Sequence, residues 1–300
     1  MHTLTPDPLM RLGPEGEKRH SLAVIGHMAI DTIIHPDFTI ESSPGGSAAA
    51  LATAAVQFGI SPSIYSQIGN DYPKEWLRVL EALGVNISGI EFLEKEESLK
   101  MRYEYDAEGQ ALIDCSDAVN RLLSPENIPK KDAIHICPMQ PANQVGLVKK
   151  FGGGPLLSIN FSEFFCEDYK ELNIIDQMDW KAVNIVFANE KEGNDITGEE
   201  NPEDMVHKIN EKGADVVAIT LGENGSLIFD GENTFKVKAK TVEVVDPTGC
   251  GDSYIGGFLG EYLDSMDIKK AAGVGTYMAS LTAQKKGSWA ALIADVGVRF

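Results

Sequence analysis

Followed for its apolar and polar positions, the chain alternates short buried-type strands with helical stretches. Leu22-Ala23-Val24-Ile25 is an unbroken apolar run stopping at Gly26, as a strand covered on both faces does. A run of apolar alternation from Asp31 to Thr39 follows. Ala48 to Phe58 is alanine-rich and ends at Gly59, the pattern of a closely packed helix. The succession repeats with a strand at Ser63 to Ile68, a helix at Lys74 to Leu83, a strand at Ala133 to Ile136, a helix at Asn143 to Lys150 and a strand at Leu156 to Ile159. Further strands are predicted at Ala182 to Phe187, Val216 to Thr220, Ser226 to Phe229 and Glu243 to Val245, and a small-residue helix at Ala271 to Ala283. This alternation predicts an α/β fold: a mostly parallel central sheet flanked by helices on both faces.

One stretch breaks the rhythm. From Ile90 to Ile113 the pattern is short apolar-polar alternation, notably Leu99-Lys100-Met101-Arg102-Tyr103-Glu104-Tyr105, then a turn at Ala107-Glu108-Gly109 and another short strand. This reads as an antiparallel hairpin that joins the Asp31 to Thr39 run in a small β lid, with lid segments at about 31–43 and 89–115. An antiparallel extension of the main sheet's edge is the other reading. Residues 1–20 lack an apolar period and read as a mobile lead-in, so a single domain is expected over 21–300.

Composition narrows the partners. The 300 residues carry 45 acidic and 26 basic side chains, a formal net charge of −19, which opposes binding to nucleic acid or an anionic membrane. It does not oppose a nucleotide, which backbone N–H groups and a metal ion can hold. No apolar run approaches the roughly 20 residues of a membrane span and no signal-peptide core is visible, so a cytoplasmic protein is expected. Cys115, Cys137, Cys166 and Cys250 are widely spaced, and the histidines lack metal-ligand spacing, which indicates neither a disulfide framework nor a zinc cluster.

The most informative stretch is Val245-Asp246-Pro247-Thr248-Gly249-Cys250-Gly251-Asp252, read as a strand entering a glycine turn and then an amphipathic helix. Tyr254, Ile255, Phe258, Leu259, Tyr262 and Leu263 recur at helical spacing, placing Asp252 in the first turn. Glycines there allow close approach of a ligand to unpaired N–H groups, and a helix start attracts anions. A carboxylate beside such a nest can take the proton of a hydroxyl that attacks phosphorus, which is kinase chemistry. Aspartate at a helix start is also a common cap, and the residue alone leaves both readings open.

The string resembles the C-terminal signature of the ribokinase or PfkB-like carbohydrate kinases. By that resemblance Asp252 is the general base, and the N–H groups of Gly249, Cys250 and Gly251 form the anion hole. Pro44-Gly45-Gly46-Ser47 resembles the family's N-terminal diglycine signature and places Gly45, Gly46 and Ser47 at the substrate. Asp31, in Gly26-His27-Met28-Ala29-Ile30-Asp31, matches the substrate-binding carboxylate, suited to two adjacent hydroxyls. Arg102 is a further substrate candidate from the lid, able to meet an anionic group or simply to be solvated. Asn189-Glu190-Lys191-Glu192 is similar to the N-x-x-E motif, in which Asn189 and Glu192 organise magnesium and phosphate through water. Thr220-Leu221-Gly222-Glu223-Asn224-Gly225 resembles the nucleotide turn, with Thr220, Gly222 and Gly225 near the phosphates and ribose; a plain hairpin is the alternative. The Ala271 to Ala283 helix lies where family members keep an adenine pocket, and Asp246 corresponds to a residue that helps hold a monovalent cation in some of them.

The resemblance implies a ribokinase-like fold and ATP-dependent, magnesium-assisted phosphorylation of a small sugar-like or polyol substrate. Ala29 and Ala50 stand where many members carry asparagine, which argues against ribose itself. A nucleoside kinase is the chemical alternative, and a non-catalytic sugar- or nucleotide-binding protein the alternative from another class. Family members are monomers or homodimers that pair through their lids.

Overall fold

The computed structural model describes residues 20–107, 109–162 and 174–289; the lead-in expected over residues 1–20 lies almost wholly outside them. The strands are β1 Ser21–Ile25, β2 Ala29–Ile34, β3 Thr39–Gly45, β4 Ser61–Gly69, β5 Asn86–Leu93, β6 Leu99–Tyr105 and β7 Ala111–Cys115. They continue with β8 Ala133–Ile136, β9 Leu156–Asn160, β10 Ile185–Asn189, β11 Val216–Thr220, β12 Ser226–Phe229 and β13 Thr234–Val237. The main helices are α1 Ser47–Val56, α2 Lys74–Ala82, α3 Pro141–Phe151, α4 Glu190–Thr197, α5 Pro202–Lys212, α6 Cys250–Ser265 and α7 Ile268–Ala283.

Nine strands form one sheet in the order β13-β12-β11-β10-β9-β8-β1-β4-β5, and four form a second, β3-β2-β6-β7. The large sheet is parallel from β5 through β11, with β12 and β13 added antiparallel at one edge. In the small sheet β2–β3 and β6–β7 are antiparallel pairs, joined by a parallel β2–β6 ladder. The period-2 geometry of β1 sends Leu22 and Val24 into a core shared with α1, α2, α6 and α7. Ala23 and Ile25 face the opposite core, under α3, α4 and α5. Both faces are therefore covered, which is why these strands read as continuous apolar runs rather than alternations. Among the described residues no helix is long and apolar enough to cross a membrane.

Three local expectations are corrected. Residues 243–245 are not a strand: Val244 is exposed, and the backbone N–H groups of Val245 and Asp246 donate to the Ala283 carbonyl at the end of α7. The edge of the sheet is taken by β13, whose short half-exposed pattern gave little signal. Residues 89–93 belong to the main sheet, since β5 pairs parallel with β4, so the second lid segment begins at β6. At the other end of the first segment, the small sheet contains two strands where one run was read, with a turn at 35–38 between them.

The layer of α1, α6 and α7 is built from small side chains, and this aims two helix starts at one place. A Cβ on Gly256 of α6 would lie 2.3 Å from the Leu51 carbonyl of α1 and 2.6 Å from Ala54 Cβ. On Gly257 it would lie 2.7 Å from Met278 Cγ of α7. The helices thus approach at backbone contact. Gly256→Ala is expected to lower stability by about 1–3 kcal/mol, because the overpacking outweighs the roughly 1 kcal/mol of helix propensity that alanine adds. Gly273→Ala in α7, where a Cβ meets nothing within 4 Å, is expected to raise stability by about 0.5–1 kcal/mol. Denaturant titration of the pair checks both signs.

Candidate active site

One cleft between the two sheets gathers Asp31, Gly46, Ser47, Tyr103, Tyr105, Asn160, Asn189, Glu192, Thr220, Thr248, Gly249, Gly251 and Asp252. The early diglycine and the late glycine turn, some two hundred residues apart in sequence, therefore meet. Gly249 makes this turn possible by adopting φ 78°, after which α6 begins at Cys250 and Asp252 occupies its third position. Gly46 adopts φ 89° ahead of α1, and a Cβ there would meet the His27 carbonyl at 2.4 Å. Gly45 is bare for a different reason: a Cβ would lie 1.9–2.1 Å from the Asp31 carboxyl group. The diglycine makes room for that acid.

The three aspartates of the site are held differently. Asp31 is 1 % exposed and its Oδ1 is buried with no hydrogen-bond partner. Burial, then the charges of Asp252 and Asp246, raise its pKa well above the carboxylate range. Asp252 opens onto the cleft; burial pushes its pKa up to about 6, against the pull of a hydrogen bond from the Ser47 side chain. Asp246 is fully buried, its Oδ1 accepting from the Thr248 N–H (2.9 Å) and its Oδ2 from the Gly287 N–H (2.8 Å). His35 Nε2 lies 3.3 Å from Asp246 Oδ1. Asp246 is thus a staple of the loop, each of its oxygens accepting one backbone N–H.

Of the other residues singled out in the sequence, Asn189 and Glu192 are at the cleft wall and also form a capping box at the start of α4. Asn189 Oδ1 accepts from the Glu192 N–H, and Glu192 Oε2 accepts from the Asn189 N–H. A carboxylate and an amide oxygen there suit a magnesium ion that keeps its waters. Among the described residues no group of three or more His, Cys, Asp or Glu is placed to hold an ion directly. Thr220 lines the cleft, whereas Gly222 and Gly225 do not: they shape the β11–β12 hairpin, where a Cβ on Gly225 would lie 1.9 Å from the Val237 carbonyl. The Cys250 N–H donates to the Pro247 carbonyl (3.1 Å), and its Sγ lies 3.5 Å from the Ala279 carbonyl, so Cys250 belongs to the turn's frame rather than to the anion hole. Arg102 is also corrected. Its guanidinium pairs with Glu104 at 2.8 Å on the outer face of β6, both side chains about half exposed.

The strand alternation that turns Arg102 outward turns Met101, Tyr103 and Tyr105 into the cleft, and these were missed. Burial, then Asp31 and Asp252, pushes the Tyr103 phenol up, which places it near both acids. Asn160 was missed as well. Its Oδ1 lies 3.1 Å from Nε2 of buried His135, whose Nδ1 is 2.9 Å from Ser158 Oγ. Ala29 and Ala50, where family members carry asparagine, are fully buried.

Residues 19–294 match the family model described as "pfkB family carbohydrate kinase". A cytidine kinase of Thermococcus kodakarensis is 34 % identical over 275 residues, covering 89 % of this chain and 98 % of the relative. A nucleoside kinase of Methanocaldococcus jannaschii is 27 % identical over 296 residues, covering 91 % and 93 %. The crystal structure of a nucleoside kinase of that organism, described as an archaeal member of the ribokinase family, superposes with a TM-score of 0.74 at 26 % identity, over 93 % of this chain and 98 % of that one. The ADP complex of a Cryptococcus neoformans ribokinase has the same fold, with a TM-score of 0.76 at 20 % identity over 92 % and 97 %. The chain belongs to the pfkB family of carbohydrate kinases, phosphotransferases whose acceptor is a hydroxyl group.

Proposed function

We propose that this kinase moves the terminal phosphoryl group of ATP to a ribose hydroxyl of a nucleoside, with Asp252 as general base. The observation that carries the reading is the shared cleft. Asp252 lies in it with its pKa raised to about 6, beside Gly249 and Gly251, and the cleft also holds Asp31, whose Oδ1 has no partner. Asp31 would accept from adjacent acceptor hydroxyls, leaving the attacking one within reach of Asp252. Ser47 holds the base through its hydroxyl, and the backbone of Gly249 and Gly251 with the first turn of α6 faces the charge on the moving phosphoryl group. Glu192 and Asn189 would hold a hydrated magnesium ion, which when bound neutralises phosphate charge.

Two features favour a nucleoside over the free sugar or polyol expected from the sequence. The cleft wall presents Tyr103, Tyr105, Phe161, Met101 and Ile113, an aromatic and apolar surface that a base can stack on and a small polyol does not need. The relatives named above include a cytidine kinase and nucleoside kinases. A non-catalytic binding protein is disfavoured, because folding around an acid with a raised pKa costs stability that binding alone does not require.

Four outcomes are expected. In a panel of nucleosides, free sugars and polyols with ATP and magnesium, kcat/KM is highest for a nucleoside; turnover confined to free sugars or polyols contradicts the acceptor. Asp252→Asn binds ATP yet loses about 10²–10⁴-fold in kcat, measured under saturating substrates. The same variant is more stable than wild type at pH 8. The folded-state pKa lies above the unfolded one, so protonation favours the fold below about pH 4 and that benefit is lost as pH rises through about 6. Asparagine removes a penalty of at most about 3 kcal/mol at pH 8, and the difference between variant and wild type shrinks toward zero near pH 4. Finally, kcat/KM falls about tenfold per pH unit below pH 6 and is flat above it, since only the ionised carboxylate accepts the proton.

A further inference from the structure

We propose that His135 is a positioning residue that turns the side-chain amide of Asn160, so that its N–H groups face the cleft and donate to phosphate oxygens of ATP. This rests on the reading that ATP lays its phosphates along the ends of β9, β10 and β11. The residues concerned interrupt an apolar layer. On the sheet face that meets α1 and α6, strands β8 to β10 present Ala133, Leu156, Ile185 and Phe187, yet His135, Ser158 and Asn160 occupy positions of the same period. His135 and Ser158 are 0 % exposed, and Asn160 is where the row reaches the cleft. Polar groups buried in such a layer must be paired, and both ring nitrogens of His135 are.

The row can be wired in two directions. In one, the Ser158 hydroxyl donates to His135 Nδ1 at 2.9 Å, and the Nε2–H donates to Asn160 Oδ1 at 3.1 Å. In the other, the amide gives an N–H to Nε2, the Nδ1–H goes to Ser158 Oγ, and the hydroxyl must turn to the Ile134 carbonyl at 3.5 Å. That distance exceeds the O–H···O range of about 2.5–3.0 Å, so the second direction strands a buried donor and the first does not. Burial brings the imidazole pKa down to about 4, so the neutral ring carries one proton and holds one direction at a time. With Oδ1 taken by Nε2–H, Asn160 offers the cleft donors only. Its backbone is fixed too: buried Gln144 of α3 donates from Nε2 to the Asn160 carbonyl at 2.8 Å and to the Cys137 carbonyl at 3.0 Å. Amide N–H groups suit anionic phosphate oxygens, whereas a magnesium ion takes oxygen ligands. Asn160 pairs in the ladder with Phe187, two residues before Asn189, and Asn189 pairs with Thr220. Asn160 thereby stands beside the residues given to metal and phosphate, and His135 acts only through it.

The test uses the full chain. Ring-nitrogen NMR of histidine-labelled protein, with the His135 signals assigned by their loss in His135→Gln, is expected to show the neutral Nε2–H form; the Nδ1–H form overturns the proposal. Calorimetric titration with a non-hydrolysable ATP analogue and magnesium, and separately with the panel's best acceptor, cytidine being tried first, reads the consequence. Asn160→Asp keeps the shape and the bond from Nε2–H but turns a carboxylate oxygen toward the phosphates. It is expected to weaken analogue binding by at least about tenfold while acceptor affinity changes by no more than about twofold. Ser158→Ala removes the donor to Nδ1, and it is expected to give a mixture of the two ring forms and analogue binding weaker by about threefold. Analogue binding unchanged or tighter in Asn160→Asp, as for a residue serving the metal, overturns the proposal. So does a loss that falls on the acceptor instead, or one unchanged ring form with wild-type affinity in Ser158→Ala. Wild type that binds the analogue but phosphorylates no nucleoside overturns the acceptor reading alone; wild type that does not bind the analogue overturns both.

Discussion

Like charges crowded in a water-poor site repel one another and resist burial; Asp31 and Asp252 share such a cleft, and the buried Asp246 is near enough to act on Asp31. The three are distinguished by what the backbone offers each. Asp246 has two main-chain N–H donors and spends its charge holding a loop. Asp252 has the Ser47 hydroxyl and the positive end of α6, enough to leave it titrating near neutrality. Asp31 has a buried Oδ1 with no hydrogen-bond partner, which the proposed reading fills with the hydroxyls of an acceptor. In the proposed reading, a base, a ligand and a staple thus emerge from the same residue type through local differences in donors.

That crowding is tolerable because the scaffold below is dense. The α1, α6 and α7 layer packs through glycine and alanine, so the helix starts that carry Ser47 and Asp252 come within hydrogen-bond reach. Bulkier side chains in this layer would separate the two starts and dissolve the site without touching a residue in it. The large parallel sheet plays the complementary part: its β9, β10 and β11 ends deliver Asn160, Asn189 and Thr220 to one line along the cleft.

Much of this was legible in the sequence because the signals were local. Strands covered on both faces show as apolar runs, a glycine turn before an amphipathic period shows as a helix start, and Ser47, Gly249 and Asp252 sit at such starts, whereas Asp31 lies within β2. What was not legible depends on partners remote in sequence. The side of β6 that faces the cleft follows from its pairing with β2, so Arg102 and Tyr103 could not be told apart by composition. The N–H of Cys250 is lost to Pro247 through a turn closure that glycine content does not reveal. Residues 243–245 read as a strand, yet the Val245 N–H bonds to the end of α7, and the edge position belongs to β13. His35, in a turn read as a continuing strand, gains its stack on Tyr105 and its aspartate only once two sheets are placed together.

The central claim is a matter of distance. A crystal structure of the wild-type chain with a non-hydrolysable ATP analogue, magnesium and a phosphorylatable nucleoside measures it directly. The account predicts the attacking hydroxyl at about 2.6–3.2 Å from the Asp252 carboxylate, with the terminal phosphate over Gly249 and Gly251. A hydroxyl held elsewhere, with Asp252 serving only the first turn of α6, would contradict it.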